Sequence, residues 1–377
     1  MPMLARPDHQ YIQRHTGRVV TERLFSDRII HLLYDHAREN APLMFDMLTS
    51  RRANDGYALW QYDLPTRRSP AAVTRLIRQL GICLEECVAP EALTSPRRLF
   101  ERQIRFWQHR PMASDKCHIV SPADARMLVG AFSSQSQLFL KEKFFDYQDL
   151  LGADKQQWLN AFRGGQFAIF RLTPEKYHYN HLPVSGQVRD IYEIQGAYHS
   201  CNPGAVVRMV TPYSKNRRVV TVIDTDVPDG SQIGLVAMIE VVALMIGDIV
   251  QCYSAHHYDA PRAVAPGMFL KCGQPKSLYR PGSSVDVLLF QKNRVRFCDD
   301  ILSNQHHLAA HSRFSSGFGR QLVETDVGAT TRDGPLAAYC SIIARDCSVL
   351  PRPISSARQP PTPHWARRAS QWYPSSW

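Results

Sequence analysis

Residues 279–285 read Tyr-Arg-Pro-Gly-Ser-Ser-Val and lead into an apolar run that ends at Phe290. Glycine adopts backbone conformations that other residues resist, so Gly282 predicts a tight turn ahead of a buried strand. In such a turn the hydroxyl of Ser283 can approach the carbonyl of Gly282, and that geometry suits attack by a serine on its own peptide bond. Gly-Ser turns ahead of strands are common, and this stretch alone indicates only a turn.

Short apolar runs divided by Gly, Pro, Asn and Asp extend on both sides of the heptad's strand, from about residue 118 to 330. They predict a strand-rich region and include residues 167–172, 206–210, 218–224, 233–239 and 285–290. The longest apolar stretch, 233–249, is nearly long enough to span a bilayer, but Glu240 and Asp248 interrupt it. We therefore expect a pair of buried strands there and no transmembrane helix.

The first part of the chain is predicted to be mainly helical and basic. Amphipathic helices are expected from about residue 29 and from 42 to 49. Ser69 followed by Pro70 is typical of a helix start, and Gly81 is typical of its end. Residues 97–107 form a candidate basic amphipathic helix, which could pack against the core or lie on a membrane surface; its apolar face would carry Leu99, Phe100, Ile104 and Trp107.

These patterns predict an α+β protein in three parts. Residues 1–113 would form a helical basic N-terminal region and residues 114–330 a β-rich core. Residues 331–377 would form a loosely ordered tail, because their end is rich in Pro, Ser and Arg without a period.

The charge of the chain indicates a polyanionic partner. The 377 residues carry a formal net charge of +11, with a pI near 9.3. An anionic membrane surface, nucleic acid or a merely solvated basic surface would each explain this charge. No basic-aromatic stripe supports nucleic acid, so we expect no nucleic-acid partner.

The nine cysteines are irregularly spaced, which favours reduced thiols in a cytosolic setting, and residues 1–13 show no signal peptide.

An acidic side chain that could act with Ser283 stands in residues 121–125, Ser-Pro-Ala-Asp-Ala. They follow a short apolar run and place Asp124 in a predicted turn. The simplest role for Asp124 is to cap that turn. A second polar turn, Ser-Cys-Asn-Pro, follows at residues 200–203.

Two histidines stand three residues apart beside a predicted strand. His178 and His181 belong to residues 174–181, Pro-Glu-Lys-Tyr-His-Tyr-Asn-His. No third potential ligand stands at a sequence spacing typical of metal sites, so we expect no metal site. Taken alone, the pair is interpreted as loop histidines with satisfied hydrogen bonds.

The order and spacing of these four segments resemble the phosphatidylserine decarboxylase family. That family shows Ser-Pro-x-Asp-Gly, then Pro-x-Asp-Tyr-His-Arg-x-His, then Ser-x-Asn-Pro, and finally Gly-Ser-Thr or Gly-Ser-Ser before an apolar strand. The resemblance covers roughly residues 10 to 328. The sequence departs from the family's pattern at several positions, among them Ala125, Lys176, Tyr179, Val242, Asp248 and Pro281.

The resemblance implies a proenzyme that cuts itself at the bond between Gly282 and Ser283. Ser283 would attack the carbonyl of Gly282 to give an ester. Elimination and hydrolysis would then leave a pyruvoyl group at residue 283, with loss of ammonia. His181 would take the proton of Ser283 and Asp124 would orient His181, the division of roles found in a serine-protease triad.

The implied activity is that of a carboxy-lyase in phospholipid biosynthesis. The pyruvoyl group would form a Schiff base with phosphatidylserine and draw electrons as CO2 leaves, giving phosphatidylethanolamine. His178 or His181 would protonate the former α-carbon, or His178 would instead bind the substrate carboxylate or phosphate. The cut chains, 1–282 and 283–377, would stay together as a heterodimer, either alone or within a higher oligomer.

The resemblance leaves two alternatives for the activity. Arginine suits carboxylate and phosphate recognition, and Tyr179 stands where the family has that arginine. A free aromatic amino acid therefore stays open as the substrate, and so does a catalytically dead homologue that only binds lipid. If phosphatidylserine is the substrate, we expect a peripheral protein whose basic N-terminal region lies on an anionic membrane, at its cytoplasmic face.

Overall fold

The computed structural model describes residues 10–14, 16–22, 47–58, 62, 69–110, 112, 118–132, 146–200, 212–244, 248–281, 284–311, 322–325 and 343–344. Residues 1–345 form one compact unit and residues 346–377 a second, which lies entirely outside the described ranges. The helix predicted from residue 29, most of the one predicted at 42–49, and the strand predicted at 206–210 also lie outside them. So do Gly282 and Ser283.

Sixteen strands occur in the described residues. Their bounds are β1 Gln10–Gln13, β2 Val19–Thr21, β3 His118–Ile119, β4 Ala125–Ala131, β5 Gln166–Leu172, β6 Tyr179–His181, β7 Gly186–Ile194, β8 Arg218–Asp224, β9 Leu235–Val241, β10 Ile249–Gln251, β11 Phe269–Leu270, β12 Pro275–Tyr279, β13 Ser284–Phe290, β14 Arg296–Phe297, β15 Leu322–Thr325 and β16 Ile343–Ala344. Ten of them form one sheet in the order β11-β7-β8-β9-β13-β5-β4-β15-β1-β2. Its strand pairs are antiparallel except β1 with β15.

Two smaller sheets and eight α-helices complete the described part of the fold. The smaller sheets have the orders β10-β12-β6 and β14-β16-β3. The helices are α1 Arg51–Ala58, α2 Pro70–Leu80, α3 Pro96–Phe100, α4 Phe106–His109, α5 Tyr147–Leu151, α6 Gln156–Ala161, α7 Pro212–Lys215 and α8 Asp299–His311. This mixture of one large antiparallel sheet with several helices confirms the α+β class.

Strand β13 lies near the middle of the large sheet, between β9 and β5, and every residue in it is buried. Side chains alternate between the two faces of a strand. Leu288 and Phe290 therefore pack into one apolar cluster, and Val285, Val287 and Leu289 into another on the opposite face. Burial on both faces explains why the sequence of β13 is a continuous apolar run rather than an alternating one.

Several elements predicted from the sequence are confirmed. Strands β5, β8 and β13 match the predicted runs to within one residue at either end, and the stretch 233–249 contains β9 and the start of β10. Helix α2 begins where Ser69 accepts a hydrogen bond from the amide of Ala72, and it ends at Gly81 with φ 64°. Five cysteines in the described ranges are free thiols: Cys83, Cys87, Cys252, Cys272 and Cys298.

The predicted continuous helix at residues 97–107 is wrong. Helices α3 and α4 are separate, and Ile104 between them forms a β-bridge with Cys87. This extended link turns Ile104 and Phe106 inward, where both are buried with Tyr177. Tertiary packing has therefore overridden the helical periodicity of this segment.

The prediction of a mainly helical N-terminal region is not confirmed. Strands β1 and β2 join the edge of the large sheet through β15, so Gln10–Gln13 and Val19–Thr21 belong to that sheet. None of the described helices has the length and apolar character that crossing a bilayer requires.

Candidate active site

The large sheet brings together the starts of two strands that follow predicted site residues. Strand β4 begins directly after Asp124, and β13 begins directly after Ser283. Both run antiparallel to β5, where Arg171 pairs with Arg126 on one side and with Val285 on the other. The chain therefore enters β4 and β13 at the same end of the sheet.

The turn that precedes β4 holds Asp124 in a buried position. The Ser121 hydroxyl donates to the carbonyl of Ala123 at 2.7 Å and closes the turn. Asp124 is 2% exposed, and Arg110 Nη2 lies 3.1 Å from its Oδ2. Arg110 also binds Glu86 at 3.0 Å. The guanidinium compensates the buried carboxylate, which would otherwise be costly to hold in this position.

His181 ends strand β6 beside that turn. Its backbone amide donates to the carbonyl of Pro122 at 2.7 Å, which ties β6 to the segment that carries Asp124. The His181 side chain is wholly buried, with Nδ1 2.8 Å from the carbonyl oxygen of Gly273 and Nε2 3.0 Å from the hydroxyl of Tyr177. A carbonyl only accepts, so Nδ1 carries the proton and Nε2 is the basic atom.

Burial lowers the pKa of His181 to about 4, because the charged imidazolium is poorly solvated there. The Gly273 carbonyl and the charge of Asp124 act in the opposite direction but do not overcome burial. His181 is therefore neutral at physiological pH, which is the protonation state that a general base needs.

The turn that carries Asp124 also binds the backbone of His181, and the charge of Asp124 acts on the His181 imidazole. The two ring nitrogens of His181 bind Gly273 and Tyr177, and these contacts set the orientation of the imidazole. Asp124 acts on His181 electrostatically, while its carboxylate is bound by Arg110.

His178 directly precedes β6 and lies next to β12, the strand that leads to the Gly282–Ser283 bond. Its carbonyl accepts from the amide of Tyr279 in β12 at 3.1 Å. The ring is wholly buried, with Nδ1 2.8 Å from the carbonyl oxygen of Lys176. It lies on Phe100 with ring centroids 3.6 Å apart.

Several site residues were missed from the sequence. Tyr177 binds His181, and its hydroxyl oxygen lies 2.6 Å from that of Tyr258. The rings of Phe106 and His181 form a T-shaped pair, with centroids 4.6 Å apart. Tyr177 stands inside the histidine segment and could have been suspected, whereas Arg110, Phe106 and Tyr258 carry no local signal.

The polar turn at residues 200–203 is described only at Ser200, which is buried. Just before it, the His199 amide donates to Asn216 Oδ1 at 2.8 Å, and Asn216 Nδ2 donates back to the His199 carbonyl at 2.9 Å. Asn216 Nδ2 also donates to the carbonyl of Val242 after β9. Asn216 thereby holds the backbone of His199 close to the C-terminal end of β9.

The sequence model of the phosphatidylserine decarboxylase family matches residues 98–315, more than half of the chain. The chain belongs to the phosphatidylserine decarboxylase family. The matched range contains Asp124, His178, His181, Gly282 and Ser283, so each predicted site residue lies within the family's own domain.

Individual family members are similar in sequence to this chain over most of its length. A phosphatidylserine decarboxylase proenzyme of Fusobacterium nucleatum is 26% identical over 321 residues, which cover 83% of this chain and 97% of the relative. One of Chlamydia trachomatis serovar D is 27% identical over 321 residues, with coverages of 84% and 99%. A third, of Chlamydia pneumoniae, is 30% identical over 297 residues, with coverages of 78% and 91%.

Proposed function

We propose that this chain is a phosphatidylserine decarboxylase that is made as a proenzyme and cuts itself between Gly282 and Ser283. The single observation that carries the proposal is the buried, neutral His181 beside Asp124, in a chain of this family. Residues 114–330 form the catalytic core in this proposal.

Self-cleavage begins when the Ser283 hydroxyl attacks the carbonyl carbon of Gly282. Its proton passes to His181 Nε2, directly or through the Tyr177 hydroxyl that lies 3.0 Å from that atom. The bond from Gly282 carbon to Ser283 nitrogen then breaks, and the nitrogen takes up the proton, which leaves an ester. The negative charge of Asp124 favours the transient imidazolium of His181.

Loss of the Ser283 α-proton then expels the Gly282 carboxylate and leaves dehydroalanine. Hydrolysis releases ammonia and leaves the pyruvoyl group at residue 283. The products are chains 1–282 and 283–377, which stay associated because β13 pairs with β5 and β9 of the first chain.

The surroundings of position 283 fit a pyruvoyl group. Ser284 is wholly buried at the start of β13, and its hydroxyl has no hydrogen-bond partner among the described residues. An unused buried donor next to residue 283 suits a carbonyl-bearing group there. The pyruvoyl group supplies an electron-withdrawing carbonyl as CO2 leaves the substrate.

The residues around it exclude water and handle the substrate's proton. His178 lies against Phe100, and Phe106 lies against His181, so each imidazole packs on an aromatic ring. His178 returns a proton to the α-carbon of the product or binds the headgroup of phosphatidylserine. The basic N-terminal region places the protein peripherally on an anionic membrane, at its cytoplasmic face.

Release of CO2 tests this function. Purified protein is given vesicles with carboxyl-labelled phosphatidylserine or, separately, soluble aromatic amino acids, with Ser283→Ala as the control. We expect CO2 and phosphatidylethanolamine from the vesicles and neither product with Ser283→Ala. Release of CO2 from the soluble amino acids alone would overturn the lipid substrate, and vesicle binding without CO2 release would indicate an inactive lipid-binding homologue.

A further inference from the structure

Six wholly buried polar side chains meet between the large sheet and the β10-β12-β6 sheet, near the start of β13. We call them the inter-sheet cluster: Asn180, Glu240, Lys276, Ser277, Tyr279 and Asp286. Buried polar groups are costly unless they are hydrogen-bonded or paired. The chemistry proposed above for His181 and Ser283 uses none of these six side chains.

The charges in this cluster do not balance if both carboxyl groups are ionised. Lys276 Nζ lies 2.6 Å from Glu240 Oε2, and Asn180 and Ser277 donate to the other oxygen of Glu240. Asp286 stands directly opposite Glu240 in the register of β13 and β9. One buried cation therefore faces two adjacent carboxyl groups, and like charges so close cannot both persist.

The contacts of the Tyr279 hydroxyl are consistent with a proton on Asp286. Its hydroxyl oxygen lies 2.7 Å from Asp286 Oδ1 and 3.0 Å from the carbonyl oxygen of Val285. A phenol has one proton to donate, and a carbonyl can only accept. Both contacts are fully made when a neutral Asp286 donates to Tyr279 and Tyr279 donates to Val285. Burial and the charge of Glu240 raise the pKa of Asp286 well above its ordinary value, which agrees with this assignment.

The position of this pair links it to the proposed cut. Tyr279 stands three residues before Gly282, and Asp286 stands three residues after Ser283. Their hydrogen bond therefore joins β12 and β13 across the short segment that contains the bond. After cleavage the two residues would belong to different chains.

We infer that Tyr279 and a neutral Asp286 are positioning residues for self-cleavage, which hold the chain on the two sides of the Gly282–Ser283 bond. This inference rests on the proposed function. Attack by Ser283 on its neighbouring carbonyl depends on sub-ångström placement, and misplacement by about 1 Å can cost on the order of 100-fold in rate. The pair contributes by fixing the exit from β12 and the entry to β13.

The first test follows the time course of cutting by intact mass after cell-free synthesis of the full chain. Tyr279→Phe should slow cutting by roughly 10- to 100-fold. Tyr147→Phe is the matched control, because it also removes a buried phenol that donates to a carbonyl, Leu159 at 2.7 Å. We expect that control to cut at the wild-type rate. Melting temperatures of both variants show whether each is folded, and Tyr279→Phe cutting as fast as Tyr147→Phe would overturn the inference.

The second test uses Asp286→Asn and the pH profile of cutting. An amide can donate to Tyr279 as a neutral carboxyl group does, so this variant should cut near the wild-type rate at pH 7, whereas Asp286→Ala should be slow. The charged or titratable groups that face Asp286 are Glu240, Lys276 and Tyr279. Wild-type cutting should decline in alkaline solution as Asp286 ionises, and Asp286→Asn should lack that decline.

The outcomes separate the inference from the function on which it rests. An identical alkaline decline in wild type and Asp286→Asn would show that neutral Asp286 is not required. A wild-type chain that never cuts overturns the proposed function and this inference together. A wild type that cuts, with Tyr279→Phe cutting equally fast, overturns only the inference.

Discussion

His181 shows how the surroundings of one side chain hold it in the unprotonated form. The Gly273 carbonyl fixes the proton on Nδ1, and burial keeps the ring neutral, so Nε2 is available as a base. The same burial has a consequence for stability, because a group with different pKa values in the folded and unfolded chains makes folding depend on pH.

The stability of the uncut chain should fall as the pH drops from about 6.5 to 4. The unfolded chain takes up a proton on His181 near pH 6.5, and the folded chain does so only near its lowered pKa of about 4. Stability from this group is therefore complete above pH 6.5 and is lost on acidification, by up to about 3 kcal/mol. Urea unfolding of Ser283→Ala at several pH values measures this, and Ser283→Ala/His181→Asn should show a shallower fall. Equal slopes for the two proteins would contradict the assignment.

Substitutions of His181 and His178 should affect different steps, self-cleavage and CO2 release respectively. His181→Ala should remain a single uncut chain, because the base for Ser283 is missing. His178→Ala should cut at a rate close to wild type but lose on the order of 100- to 10,000-fold in CO2 release, the usual contribution of a general acid or base. Mass spectrometry and a CO2 assay on both variants measure this, and failure of His178→Ala to cut would contradict the division of roles.

At the scale of elements, the parts predictable from sequence are those set by local chemistry or by burial on both faces. Helix α2 was predictable because its Ser69 cap and Gly81 end are local signals. Strand β13 was predictable because a central strand is apolar on both faces. The split between α3 and α4 was not, because the bridge from Ile104 to Cys87 is a contact between segments that have no shared pattern.

The packing of β9 against β12 depends on the Glu240–Lys276 pair, which is wholly buried. Lys276→Met should destabilise the uncut chain by about 3–5 kcal/mol, because it leaves a buried carboxylate without its cation. The double variant Lys276→Met/Glu240→Gln should recover part of that loss. Urea unfolding in the Ser283→Ala background measures both.

An exposed ion pair provides the control for that prediction. Arg294 and Asp226 lie 3.6 Å apart with both side chains 41% exposed, so Arg294→Met should change the free energy of unfolding by less than about 1 kcal/mol. Similar losses for Lys276→Met and Arg294→Met would contradict the role given to the buried pair.

At the scale of the whole molecule, the site is assembled from segments that are far apart in the sequence. Motif order predicted Asp124, His178, His181 and Ser283 because each stands in a recognisable segment. It could not predict Arg110, Tyr258 or the Tyr279–Asp286 bond, because those contacts exist only once the sheets have packed. The family's pattern therefore supplies the proposed reacting groups, and the fold of this chain supplies the residues that contact them.

Intact-mass analysis of the purified wild-type protein tests the central claim most directly. Self-cleavage predicts two chains, 1–282 and 283–377, with the second blocked at its N-terminus by a pyruvoyl group. Ser283→Ala, prepared in the same way, should give one chain of full length. A single uncut wild-type chain with the behaviour of Ser283→Ala would contradict the account.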